Sequence, residues 1–443
     1  MEDRKILGGK MSNSQRVFTL IFMSLVLIML NADSNVMNPN LSRIEAEFGV
    51  DDADIGFMMA IFSIFGAFVS LFWGYFADKT SRKLLFVASV LLGEIPCLLT
   101  AFARDYTTFF ILRVLTGIGV GAAFPLVFSM IGDIFGDRGR PIATAVLTTA
   151  FSLGQILGVA LAGYTSNINF GIVSGWRFAF LIASAPNIPL AILFLILVPE
   201  PKRGASEEAT AKLIEQGLLY PRTIKISDYI GLVKIKTNIY LFIQGIIGTI
   251  PWGAIAFLNK FLEEEKNLSP AQATTVYLVF AAGAVVGTML GGTFGGMVSK
   301  KNPKYLPWFC AITTVIGCIL ALITFLVIPN NIPLLSLFGF IAGFFVAMTG
   351  PNMRAMLLDT NVPENRGAIF SIFNLTDNLG TGFGKWVAGI LSIAIGLTGS
   401  LALCTAFWFG CAFVLFLSGA IYPKDIEKQK EKLSKIASEM QKG

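Results

Sequence analysis

Runs of about 20 apolar residues recur along this chain with only short connections between them, and that recurrence limits what it can fold into. They cover 17–39, 53–77, 83–103, 107–132, 141–165 and 176–198, then 238–262, 272–298, 305–327, 332–353, 367–395 and 400–422. At 1.5 Å of rise per residue, each is long enough to cross a bilayer core as a helix. With 54% hydrophobic and only 14% charged residues, a 443-residue chain cannot hide its apolar surface in one soluble core, so lipid must cover part of it. The expectation is an all-α membrane protein with twelve transmembrane helices.

The formal charge of +6 raises the possibility of a nucleic-acid partner until its distribution is considered. Of the 34 Lys and Arg, 27 fall in the first 16 residues, in the tail or in alternate connections. The other seven are Arg43, Arg104, Arg113, Arg177, Lys260, Lys266 and Lys385. This asymmetry orients a membrane protein, with both termini cytoplasmic and the plasma (inner) membrane as the expected location. It leaves no basic patch for nucleic acid. Residues 1–16 form a polar N-terminus without a small-residue cleavage site, so the first span reads as a retained anchor. No histidine is present to relay protons or bind metal, and coupling chemistry falls to carboxylates. The five cysteines lie inside apolar runs without paired spacing and read as small buried residues, and no metal or cofactor is expected.

Residues 199–237 are the one long polar stretch inside the chain, separating six spans (17–198) from six (238–422); residues 423–443 form a solvated tail. The two halves repeat one another faintly and in parallel. Gly117 precedes Pro125 in span 4 as Gly343 precedes Pro351 in span 10, and Asp133 to Arg138-Gly139 matches Asp359 to Arg366-Gly367. Gly295 to Lys304, with Ser299, stands where the first half has Gly74 to Lys83, with Asp78. Two six-helix, pseudo-symmetric bundles follow.

Between spans 2 and 3 the ten residues GYFADKTSRK place Gly74, Asp78, Lys79, Arg82 and Lys83 in a turn too short to be a domain. Gly74 lets helices approach, Asp78 can cap or pair with a neighbouring helix end, and the cations hold the turn on the cytoplasmic side. The stretch resembles the signature loop of the major facilitator superfamily, with Ser81 where a second Gly is usual. Span 4 adds RVLTGIGVGAAFP from Arg113, which resembles the Arg and Gly-x-Gly motif of that superfamily. The resemblance implies a single-chain secondary transporter working by alternating access. It also implies a cytoplasmic gate of Asp78, Arg82, Asp133 and Arg138 with the start of span 11.

Charges inside spans are the candidate machinery, because each costs ~2.5–3.5 kcal/mol even on a lenient insertion scale. Arg113 either faces a cavity or snorkels to the outer end of its helix. Asp33 lies among Asn31 and Asn35 in span 1, ~24 Å from Val17, while Arg113 is ~30 Å from Asp133, so the two sit at similar depth. Desolvation favours the neutral form of Asp33 and pairing with Arg113 its charged form, a competition suited to proton coupling. The alternative is a helix-end carboxylate in water. Asp377 lies near the midplane of span 11 on a polar face with Asn374, as a coupling group or a structural partner. Lys385, higher on the same span, snorkels or reaches a substrate anion. Glu94, before Pro96 in span 3, is a third coupling candidate whose partner the sequence does not reveal. Gln155, Gln244, Trp252 and Asn352 are candidates to line a cavity or simply to pack.

Asn31 to Phe48, with Asp33, Pro39, Ile44 and Glu47-Phe48, resembles the first helix of spinster-type lipid transporters and of anion:cation symporters, and Pro363 to Gly367 is again spinster-like. In those groups an Arg follows the Asp and a Glu lies seven residues after the span 4 Arg; here Ser34 and Val120 stand at those places. The expected activity is proton-coupled transport of a lysolipid or other amphiphile, with a small organic anion as the alternative. An enzyme would need a nucleophile or metal constellation, a receptor a soluble signalling domain, and an ATP-driven pump a phosphate-binding loop.

Overall fold

The computed structural model describes residues 11–77, 80–135, 139–170, 173–200, 231–361 and 366–440. In chain order its helices are α1 (Asn13–Asn35), α2 (Leu41–Phe48), α3 (Asp52–Ala77), α4 (Arg82–Thr100), α5 (Tyr106–Ile134), α6 (Arg140–Thr165), α7 (Trp176–Ser184) and α8 (Asn187–Leu197). They continue with α9 (Lys236–Ala254), α10 (Leu258–Glu264), α11 (Pro270–Lys301), α12 (Tyr305–Leu326), α13 (Ile332–Ala347), α14 (Thr349–Thr360), α15 (Arg366–Ser418) and α16 (Tyr422–Met440). The only strands among the described residues are Asn169–Phe170 and Val173–Ser174, a two-residue antiparallel pair.

Among the described residues, eleven helical stretches are long and apolar enough to cross a membrane. The last, Ala368–Ser418, spans 51 residues and breaks at Gly396, whose φ of 75° and ψ of 166° leave the helical region; a residue with a Cβ rarely adopts that φ. It therefore makes two passes, twelve in all. Polar residues open these helices: Ser12 and Gln15 form a capping box at α1, Ser269 and Gln272 another at α11, and Asp105 accepts from the Thr108 amide at 2.8 Å to start α5. The Thr108 bonds hold the Asp105 carboxyl below its ordinary range.

Proline accounts for most of the places where an apolar run is more than one helix. The ring lacks an N–H and clashes with the preceding turn. A 3-10 turn, Asn38–Asn40, carries Pro39 between α1 and α2; Pro186 divides α7 from α8; and the helix holding Pro251 gives way to a 3-10 turn, Ile255–Phe257.

The described chain packs as two compact units, one holding the residues up to Met37 and from Phe68 to Glu200, the other Asn38–Ala67 and the residues from Gly231 onward. In the first, α1 lies on α6 so closely that a Cβ on Gly158 would sit 2.1 Å from the Ala32 carbonyl oxygen. Helices α4 and α5 touch at Gly93 and Gly119, where a Cβ on Gly119 would meet Gly93 Cα at 2.8 Å. Met23, Leu27, Leu30, Phe86, Leu126, Leu147 and Phe194 fill the space beneath. In the second unit α9 packs on α15 and α11 on α13 through similar glycine contacts. Asp425 of α16 accepts from the backbone N–H and hydroxyl of Thr237 at 2.9 and 2.8 Å, capping α9 with a buried carboxylate. Outward-facing side chains such as Phe72, Ile142, Ile196, Met289 and Phe413 give both units an apolar exterior, as a lipid environment requires.

Candidate functional site

In the first unit the close α1–α6 and α4–α5 contacts set three charged side chains into one dry pocket. Asp33, Glu94 and Arg113 are 0%, 0% and 3% exposed. One carboxyl oxygen each from Asp33 and Glu94 and the Cys97 sulfur lie within 4.8 Å of one another. Arg113 Nη1 donates to Cys97 Sγ at 3.6 Å, and its guanidinium lies over the Phe180 ring, 5.1 Å from the centroid. Ser34 donates to Asp33 Oδ1 at 3.0 Å, and Asn187 donates through Nδ2 to Glu94 Oε1 and to the Val26 carbonyl. Asp33 Oδ2 and Glu94 Oε2 have no hydrogen-bond partner among the described residues. Two acids and a thiol at this spacing resemble a metal-ligand set, with the Arg113 guanidinium beside them.

The other residues expected on the first unit's inner face behave differently. Asn31 is buried and donates to the Leu27 carbonyl at 2.9 Å, and Asn35 donates to the Asn31 carbonyl at 2.9 Å, so both bond back along α1. Gln155 is exposed on α6. Arg82 is buried at the start of α4, where Nη1 donates to the Ser129 carbonyl and hydroxyl at 3.1 and 2.8 Å. Gly74 belongs to α3, Lys83 is half-buried in the first turn of α4, and Asp133 lies in the last turn of α5. Asp78, Lys79, Arg138 and Pro363 to Asn365 lie outside the described residues.

In the second unit Asp377 faces α9, with Oδ1 2.9 Å from where a Cβ on Gly245 would lie. Its carbonyl accepts from Thr249 and Thr381. Asn374 accepts from Asn378 on the same helix face. Gln244 is buried and donates to Cys411 Sγ at 3.5 Å. Trp252 packs edge-on against Trp408 and beside Phe280, with ring centroids 5.9 and 6.1 Å away. Asn352 donates to the carbonyls of Gly291 and Met348. Lys385 donates to Ser63 Oγ at 2.8 Å. All five cysteines are free and buried.

A second ionic cluster was not singled out from the sequence. Lys260 of α10 donates to Glu45 of α2 and, at 2.7 Å, to Asp52 Oδ1 at the start of α3, while Asp52 Oδ2 accepts from Ser392 of α15. Arg43 adds an ion pair with Glu263 at 3.4 Å. The acid-rich strings around Glu45 and Asp52 and the KFLEEEK string were its signal, of which only the cations Arg43, Lys260 and Lys266 entered the charge count.

Comparison with known proteins places these observations in a family. The model of the Major Facilitator Superfamily matches residues 23–328 and 308–440. The cis,cis-muconate transport protein of Acinetobacter baylyi is 26% identical over 331 residues, 73% of this chain and 76% of that protein. The sphingosine-1-phosphate transporter SPNS2 of Danio rerio is 22% identical over 368 residues, 80% and 71% of the two chains. Among solved structures, a bacterial homolog to the human lysosomal transporter Spinster, inward-facing and unoccupied, aligns with a TM-score of 0.83 at 19% identity over 94% of this chain and 99% of that one. A D-xylose-proton symporter aligns with a TM-score of 0.72 at 18% identity, covering 90% and 97%.

Proposed function

Taking as premise that the chain belongs to the Major Facilitator Superfamily, we propose that it is a proton-coupled secondary transporter of a lysolipid or similar amphiphile, working by alternating access. The observation that carries this reading is the dry cluster of Asp33, Arg113 and Glu94 inside a membrane-spanning unit. Buried charges are expensive in a bilayer, and a carboxyl whose charge is balanced by a neighbouring cation can exchange a proton at modest cost. The Asp33–Glu94 pair takes up and releases a proton beside Arg113 as substrate comes and goes.

An amphiphile suits the second unit's cluster of aromatic rings, Trp252, Trp408 and Phe280, with the cation Lys385 for an anionic head. Relatives named for sphingosine-1-phosphate and for muconate share that anionic chemistry and differ in the apolar tail. A small organic anion is the second reading, favoured by Lys385 as its partner. The protein is a monomer in the plasma (inner) membrane with cytoplasmic termini; it performs no covalent chemistry and needs no cofactor. Asp78, Arg82 and Asp133 form its cytoplasmic gate.

The test is ligand-dependent thermal stabilisation of the purified protein by lysophospholipid, sphingosine-1-phosphate and cis,cis-muconate, with Arg113→Ala alongside. Stabilisation that grows with amphiphile concentration and disappears in Arg113→Ala supports the first reading. A response to muconate alone transfers the conclusion to the second, and a response untouched by the substitution removes the cluster from the binding mechanism.

A further inference from the structure

The first-unit cluster holds more acid than its single cation balances. Asp33 and Glu94 are both fully buried, and Arg113 can neutralise only one of them. A second uncompensated carboxylate in that interior would cost several kcal/mol, which one bound proton removes. Hydrogen-bond stereochemistry leads to the same place. Ionised carboxylates only accept, so two of them bond to each other only when one carries a hydrogen. Asp33 Oδ2 and Glu94 Oε2 are buried and lack any other donor among the described residues, and the two carboxyls approach within 4.8 Å.

The surroundings distinguish the two acids. Asp33 accepts from the Ser34 hydroxyl, and the Arg113 guanidinium, bonded to Cys97 of the same cluster, stands beside it. Glu94 has only the neutral amide of Asn187, which occupies Oε1 and leaves Oε2 free for a hydrogen. The other ionisable groups nearby are Cys97 on α4 itself and Arg113 from α5. From α7, Arg177 is occupied at the Ala101 carbonyl, and α8 contributes the uncharged Asn187. Charge-stabilising partners therefore converge on Asp33.

We propose that the proton site is a two-carboxyl pair bridging α1 and α4, in which Glu94 carries the transported proton on Oε2 and donates it to an Asp33 carboxylate held by Arg113. The proposal rests on the proton-coupled reading and names the residue that bears the proton. With the proton in place the triad is neutral. Its departure leaves one net negative charge buried between α1 and α4, and relieving that charge requires the two helices to move apart and admit water.

Infrared difference spectroscopy of the purified full chain, without substrate, detects protonated carboxyls in dry sites. The wild type is expected to show a carboxylic-acid band that titrates away with rising pH and shifts when glutamate, not aspartate, is isotope-labelled. Glu94→Gln lacks that band, and Asp33→Asn lacks it too, because Arg113 then balances the one acid that remains. Should Glu94→Gln fold poorly, Glu94→Asp moves the band to the aspartate label. A band kept in Glu94→Gln, or one carried by aspartate in the wild type, overturns the assignment. In proteoliposomes a one-unit pH gradient at one proton per cycle supports about tenfold accumulation. Glu94→Gln should lose that accumulation while still exchanging lysophospholipid. Accumulation driven by sodium instead of pH, and lost in Glu94→Gln, replaces the proton by a metal cation and overturns the proposal. Because the spectrum needs no substrate, a wrong substrate class leaves it intact, and its failure leaves the substrate reading standing.

Discussion

Replacing Gly158 by alanine tests whether the α1–α6 contact positions the charged cluster. The new Cβ would sit 2.1 Å from the Ala32 carbonyl oxygen and 2.8 Å from Ala32 Cα, both backbone atoms that no rotamer change can withdraw. Reaching the 3.4 Å at which ordinary contact begins requires α1 and α6 to separate by about 1.3 Å. Asp33, the next residue of α1, moves with Ala32. Overpacking of this kind typically costs ~1–3 kcal/mol, offset by a gain of up to ~1 kcal/mol from replacing a helical glycine. The expected net effect is a loss of ~1–2 kcal/mol, together with weakened proton-coupled transport. Gly296→Ala is the control: its Cβ meets nothing within 4 Å, so only the propensity gain of ~1 kcal/mol remains and stability should rise. Thermal unfolding in detergent and transport in proteoliposomes read both variants. If Gly158→Ala and Gly296→Ala shift stability in the same direction by similar amounts, the close contact does not exist as described.

Three further outcomes follow from other parts of the molecule. Lys260→Met leaves the largely buried Glu45 and Asp52 without their cation and should destabilise by ~3–5 kcal/mol in thermal unfolding, with Glu45→Gln recovering part of the loss. Asp425→Ala removes the cap of α9 and should cost ~1–2 kcal/mol, seen as lower melting temperature and faster proteolysis of the chain after Tyr422. At Asp105 the folded carboxyl is held below its ordinary value of 3.8 by its bonds to Thr108, so its contribution is complete above that value and is lost as pH falls through the folded one. Asp105→Ala should therefore lower the melting temperature at neutral pH and converge on the wild type in acid.

The twelve passes were legible because each apolar run is about as long as a bilayer is thick, and the break at Gly396 falls in the gap between the last two runs. Counting helical rise also put Asp33 and Arg113 at similar depth, and the structure brings both into one pocket. The partner of Glu94 was not legible. It depends on the rotation of α4, which the contact between Gly93 and Gly119 sets, and a glycine in a membrane run does not declare which helix it meets. The same holds for Gly154 and Gly158, whose partners on α1 lie more than a hundred residues earlier. The Lys260 cluster escaped for a different reason. Its members fall at helix ends next to several other acids, and composition alone does not say which of them turns inward.

The central claim, that substrate movement is tied to protonation of the Asp33–Glu94 pair, is tested most directly by proton flux. Full-length protein in proteoliposomes carrying an internal pH dye would be given lysophospholipid with no imposed gradient, and the pH change recorded for the wild type and Asp33→Asn. The account predicts a pH change in the wild type that saturates with lysophospholipid and is absent from Asp33→Asn, although the variant still binds the lipid. Lipid movement without any pH change in the wild type, or an equal pH change in Asp33→Asn, would contradict it.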